Sequence, residues 1–135
     1  MKIVKCWEAE GVTIPEPFSR QIKVIFGPDK NDVPELLFSI AIIPPGSSTD
    51  YHDHDRIEMI YVVSGRGVAV NEGVEIPIEA DMVMIAEINE MHQIKNTGDE
   101  SIKLATVFVP PYTGEQNLKR CFDNSAKAAQ GSKSI

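Results

Sequence analysis

The chain contains three histidines, His52, His54 and His92, and two of them fall in the run Tyr51-His52-Asp53-His54-Asp55-Arg56-Ile57-Glu58. In extended backbone, residues i and i+2 project from one face, so His52 and His54 are neighbours. Glu58 shares their parity and opens the apolar run that follows, so its carboxylate can converge on the same point. Asp53 and Asp55 have the opposite parity and point away. Two imidazoles and a carboxylate on one face are a recurring ligand set for a mid-row divalent metal. Spacing alone leaves a plainer reading open, in which the His-x-His pair is ordinary polar surface on a loop.

The elements that would position these side chains are strands. Apolar residues recur with a period of two over residues 3–7, 20–26, 35–43, 57–63, 67–71, 74–78, 82–86, 92–95 and 102–109, all rich in Val and Ile. Between them stand turn-forming clusters such as Gly27-Pro28-Asp29, Pro44-Pro45-Gly46, Asn71-Glu72-Gly73 and Asn96-Thr97-Gly98-Asp99. Short strands at this spacing predict an all-β sandwich or small barrel, and no gap has room for the crossover helix of a parallel sheet. One domain over residues 1–122 is expected, with 115–122 open between a short helix and a last strand. Residues 123–135, small, polar and rich in Lys and Ser, read as a mobile tail. A chain of 135 residues buries enough surface to fold without a metal or a disulfide, so a metal site would serve chemistry. Residues 57–63 are apolar on both faces, which predicts a covering partner, most simply a second copy in a homodimer.

Around the histidines the spacing is Gly46, five residues, His52, one, His54, three, Glu58, six, Gly65. This pattern resembles the first signature of the cupin superfamily at every fixed position. The stretch from Ala80-Asp81 to His92 and Asn96 is similar to the second signature. It lacks the usual proline, has one extra residue before His92, and carries Asn89 in place of a glycine. Asn is the residue that best replaces glycine in left-handed backbone. The resemblance covers roughly residues 20–110. It implies a double-stranded β-helix, a jelly-roll-like barrel with a conical cavity, and one divalent transition metal held by His52, His54, Glu58 and His92.

Such a shell leaves one or two coordination positions open, and its nitrogen and oxygen donors suit Fe, Mn, Ni, Co or Zn. Inward parity assigns the cavity wall to Ile22, Val24, Phe26, Leu36, Phe38, Ile40, Ile42, Ile60, Val62, Leu104, Thr106 and Phe108. Arg20, Tyr51, Arg56, Gln93 and Tyr112 are the polar candidates for orienting a ligand. Glu87, Glu90, Tyr51 and Tyr112 are the candidate catalytic groups, the two glutamates as acid or base beside the metal.

The expected function is a metal-dependent enzyme, a dioxygenase, decarboxylase, lyase or isomerase, on a small metabolite, an anionic one among the candidates. A non-catalytic binding module and a structural barrel are the alternatives. A net charge of −7 argues against nucleic acid and anionic membrane as partners. The N-terminus lacks a signal-peptide pattern, so a cytoplasmic location is expected, and Cys6 and Cys121 do not form a disulfide framework.

Overall fold

The structure is a computed structural model that describes residues 1–133. After a short 3-10 turn at Cys6–Glu8 come β1 (Val12–Ile14), β2 (Arg20–Phe26), β3 (Leu37–Ile43), β4 (Ile57–Ser64), β5 (Arg66–Asn71), β6 (Val74–Glu79), β7 (Val83–Ala86), β8 (His92–Lys95), β9 (Ile102–Val109) and α1 (Gly114–Lys133). All named strand pairs are antiparallel. They form a six-stranded sheet in the order β1-β2-β3-β9-β4-β7 and a three-stranded sheet in the order β6-β5-β8. This is the expected all-β double-sheet barrel.

Alternate residues of β4 fill the interior, because Glu58, Ile60 and Val62 are buried while Ile57, Met59, Tyr61 and Val63 are exposed. Ile60 and Val62 pack with Ala41, Ile43, Ala69, Ile78, Ile94, Ile102 and Leu104 in one apolar cluster. The loop before β4 completes the second sheet: Gly46 N donates to the Asn96 carbonyl, Thr49 N to Ile94 and His52 N to His92. Residues 46–52 therefore run antiparallel to β8 and set His52 directly opposite His92. Gly46 and Gly65 of the first signature have φ of +79° and +87°, and Asn89 has φ +60°, so left-handed backbone accounts for these positions.

Three expectations are corrected. Residues 3–7 form no strand; Ile3 and Trp7 stay 80% and 75% exposed, and β2 pairs instead with the three-residue β1. The inward set on β3 is Leu37, Ser39, Ala41 and Ile43, not Leu36, Phe38, Ile40 and Ile42, since Ser39 lies opposite Val24 and Thr106, and Ala41 opposite Ile22 and Leu104. The large residues were expected inside, but this strand is apolar on both faces and turns its small ones to the interior, which leaves room there. A bulge between Val24 and Phe26 likewise buries Ile25.

The segment 115–122 is helical, and residues 123–133, expected as a mobile tail, continue the same helix; residues 134–135 lie outside the described residues. The start of α1 is fixed twice. Thr113 Oγ1 accepts from Gln116 N at 3.0 Å while Gln116 Oε1 accepts from Thr113 N at 2.9 Å, a capping box. Asp29 then takes the next free amides, Gly114 N at 2.6 Å and Glu115 N at 3.0 Å. The buried stripe of α1 is Asn117, Cys121 and Ser125, with Cys121 and Leu118 packed on Ile14 and Ile22.

Candidate metal centre

Glu58 is the second residue of β4 and His92 the first of β8, while His52 and His54 come from the loop laid along β8. One ligand atom from each of these four residues lies within 4.8 Å of all the others, and all but the half-buried His52 are buried. His52 Nε2 is 2.9 Å from His54 Nε2, and Glu58 Oε1 is 3.3 Å from the Nε2 atoms of both His54 and His92. Metal–ligand bonds of about 2.1 Å set neighbouring donors about 3.0 to 3.4 Å apart, so the donor set fits one ion.

The tautomers point the same way. His52 Nδ1 lies 2.7 Å from the Asp50 carbonyl and His92 Nδ1 lies 2.8 Å from the Glu90 carbonyl. A carbonyl only accepts, so Nδ1 carries a proton and each ring in its neutral form presents the Nε2 lone pair to the cluster. Burial is the largest influence on His52 and holds it well below the usual imidazole range, to about 3, with Asp50 opposing. Burial also lowers His54, against the pull of Glu58. His92 is raised, because Glu58 and the Glu90 carbonyl outweigh its burial. Burial alone would raise Glu58, but the His54 and His92 rings beside it bring it to about 2, so the carboxylate stays ionised, and a His92 ring that donates to Glu58 from Nε2 as well as to the Glu90 carbonyl from Nδ1 is in its charged form. Ring nitrogens beside an ionised carboxylate suit a divalent cation, which would take the place of the proton that His92 turns toward Glu58.

A small cavity of about 50 Å³ adjoins the cluster, bounded by His52, Glu58 and His92 and by Ile60, Thr106 and Leu104. Its other wall includes Arg20, Asn117, Arg120 and Cys121. On the far side of His52 is an open groove of about 540 Å³ that Asp50, Tyr51, Asp53 and Arg120 also line. A largely apolar hollow of about 240 Å³ reaches His92 and Glu90. Hollows of about 440 and 320 Å³ around Arg66 and Glu79 share no residue with the histidine cluster.

The remaining candidates are spread out. Tyr51 is 42% exposed in the outer groove. Glu87 is exposed, and its N–H donates to Glu90 Oε1 at 3.2 Å. The Tyr112 ring lies 5.2 Å from Phe108 and 6.2 Å from His54, and its hydroxyl donates to Asp55 at 2.8 Å. Arg56 stacks over that ring at 3.7 Å, so Asp55, Arg56 and Tyr112 form one wall. Gln93 donates to the Thr49 carbonyl at 2.8 Å and braces the loop. Asn96 is likewise structural, bonded to the carbonyls of Ile43 and Glu100 and to Gly98 N. Of the polar candidates, Arg20 faces the cavity. Asp50, Asn117 and Arg120 were not anticipated from sequence. Asp50 lies within the first signature, two residues before His52, and the Thr113-x-x-Gln116 box was the available signal for the helix that brings the other two.

Residues 39–109 match the cupin domain family. The oxalate-binding protein of Thermotoga maritima is 35% identical over 74 residues, 54% of this chain and 61% of that protein. An L-ectoine synthase of Aliivibrio fischeri is 31% identical over 88 residues, 64% of this chain and 69% of that protein. A crystal structure from Thermotoga maritima, described as a predicted oxalate decarboxylase, superposes with a TM-score of 0.73 at 26% identity, over 80% of this chain and 98% of that one.

Proposed function

The chain belongs to the cupin domain family, and from that premise we propose that it is a metal-dependent enzyme acting on a small metabolite, with the ion held by His52, His54, Glu58 and His92. The observation that carries this reading is the convergence of ring nitrogens and an ionised carboxylate within 4.8 Å, beside a cavity rather than in a solid core. Bound there, the ion would polarise a carbonyl or carboxylate oxygen or activate water. Dioxygenation, decarboxylation, elimination and isomerisation are the reaction classes in view. Relatives named for oxalate binding and for L-ectoine synthesis support a small polar substrate. Of Glu87, Glu90, Tyr51 and Tyr112, the reading favours Glu90 as acid or base, because it borders the hollow that reaches His92 while Tyr112 is tied to Asp55. One observation favours a non-catalytic binding barrel instead: among the described residues lining the small cavity, Glu58 is the sole acid, and it is assigned to the ion.

Elemental analysis of protein purified without chelators or an affinity tag tests the reading. About one transition-metal ion per chain is expected, and Fe or Mn would direct assays to dioxygen-dependent and decarboxylation chemistry. Protein that takes up no ion even after reconstitution would remove the enzyme reading.

The same reading includes a homodimer through the outer face of the six-stranded sheet. Ile57, Met59 and Tyr61 lie opposite Val109, Ile85 and Val83, and all six are exposed. An uncharged apolar face is self-complementary about a two-fold axis, which suits a second copy. Met59→Glu should convert the dimer to monomer in sedimentation equilibrium without loss of the β-sheet circular dichroism. A wild-type chain that sediments only as a 14.9 kDa species at micromolar concentration would overturn the dimer.

A further inference from the structure

Positive charge beside the histidine cluster exceeds its acidic partners. Arg20 is 4% exposed and donates to the Phe18 carbonyl at 2.8 Å and to Asp50 Oδ1 at 3.2 Å. Arg120, brought in by α1, reaches the same carboxylate at 4.0 Å, and Asn124 already donates to it at 2.6 Å. One carboxylate is thus shared by two guanidinium groups. Arg120 is held in place by Asn117, whose Oδ1 accepts from Nη2 at 2.6 Å, yet its Nε and Nη1 are buried without an acceptor. The buried Ser39 hydroxyl also lacks a partner. Donors left unmet in a buried site are costly, and Arg120 and Ser39 border the same cavity as His52, Glu58 and His92.

A guanidinium fixed by a neighbour, with free N–H groups and surplus charge, is the arrangement that recognises a carboxylate. We propose that Arg120, with Arg20 and Ser39, forms an anion subsite for the carboxylate of a small acid, so that helix α1 supplies one half of a ligand site whose other half is the histidine cluster. The subsite rests on the reading of that cluster as a metal centre facing the ligand. The cavity of about 50 Å³ limits the acid to a few carbons. Arg120 also borders the open groove with His52 and Lys127, so an entering anion meets its charge first.

Calorimetric titration with malonate, on chelator-treated protein and on protein reloaded with Mn²⁺, tests the subsite. Arg120→Gln should weaken malonate binding at least tenfold in both forms, with the helical signal at 222 nm and the metal stoichiometry unchanged. Arg120→Lys should recover part of the affinity. Lys127→Gln, which removes a charge from the outer groove, should bind as the wild type does. Ser39→Ala tests the subsite without touching α1 and should weaken malonate several-fold. Unchanged affinity in Arg120→Gln or in Ser39→Ala would overturn the subsite, as would a wild-type chain that binds no malonate in either form. Protein that takes up no metal yet loses malonate on Arg120→Gln would support the subsite and sink the metal reading instead.

Discussion

His92→Ala is expected to lower metal affinity a hundredfold or more while leaving a folded barrel. His92 presents Nε2 to the cluster from a ring anchored at the Glu90 carbonyl, and its loss leaves His52, His54 and Glu58 without their fourth donor. Removing a group that merely orients a ligand costs about 10–100-fold in affinity, and removing the ligand itself costs more. The fold has separate support, since the nine-residue apolar cluster contains none of the four ligands and each large aliphatic side chain in it contributes about 1.5–3 kcal/mol before entropy is counted. His52→Ala should lose metal equally and cost more stability, because His52 also contacts Asp50, which balances Arg20 and Arg120. Equilibrium dialysis against a chromophoric chelator reads the affinity and circular dichroism reads the fold. Global unfolding of His92→Ala would reassign the ion to a structural role.

What the sequence made legible here follows from which interactions are local. His52, His54 and Glu58 share a parity within one extended run, so their meeting is written in the spacing. Eight of the nine strand positions were marked by alternation and turns. The wall of the cavity was harder. On β3 both parities are apolar, so nothing local says that Ser39 and Ala41 face inward; pairing with β2 and β9 decides it. Helix α1 was legible only as one of two alternatives over 115–122, and its continuation was missed, because its buried stripe is Asn117, Cys121 and Ser125. These residues carry no apolar periodicity, since only Cys121 of the three joins the small apolar cluster with Ile14 and Ile22. The same helix brings Arg120 to the cavity, so the segment 115–122, which the sequence left open between helix and strand, carries the strongest candidate for ligand recognition.

Gly67→Ala should be strongly destabilising, for a reason that backbone conformation does not give. Gly67 has ordinary φ, but a Cβ there would stand 2.2 Å from the Lys95 carbonyl oxygen and 2.8 Å from Ile102 Cδ1. The carbonyl belongs to β8, which pairs with β5 through Val68 and Lys95, so the strand itself has to move. A cost of about 3 kcal/mol is expected, the upper end of ordinary overpacking. At this chain length that lowers the melting temperature by roughly 10 °C. Gly73 offers the contrast: its φ is +79° with nothing within 4 Å of an added Cβ, so Gly73→Ala pays only the conformational cost of about 1 kcal/mol. Because His92 lies opposite Asn71 on the displaced β5–β8 ladder, Gly67→Ala should also weaken metal binding several-fold at temperatures where it remains folded, and Gly73→Ala should not. Equal melting temperatures for the two variants would refute the clash, and unchanged metal affinity in Gly67→Ala would show that the ladder can shift without carrying His92 with it.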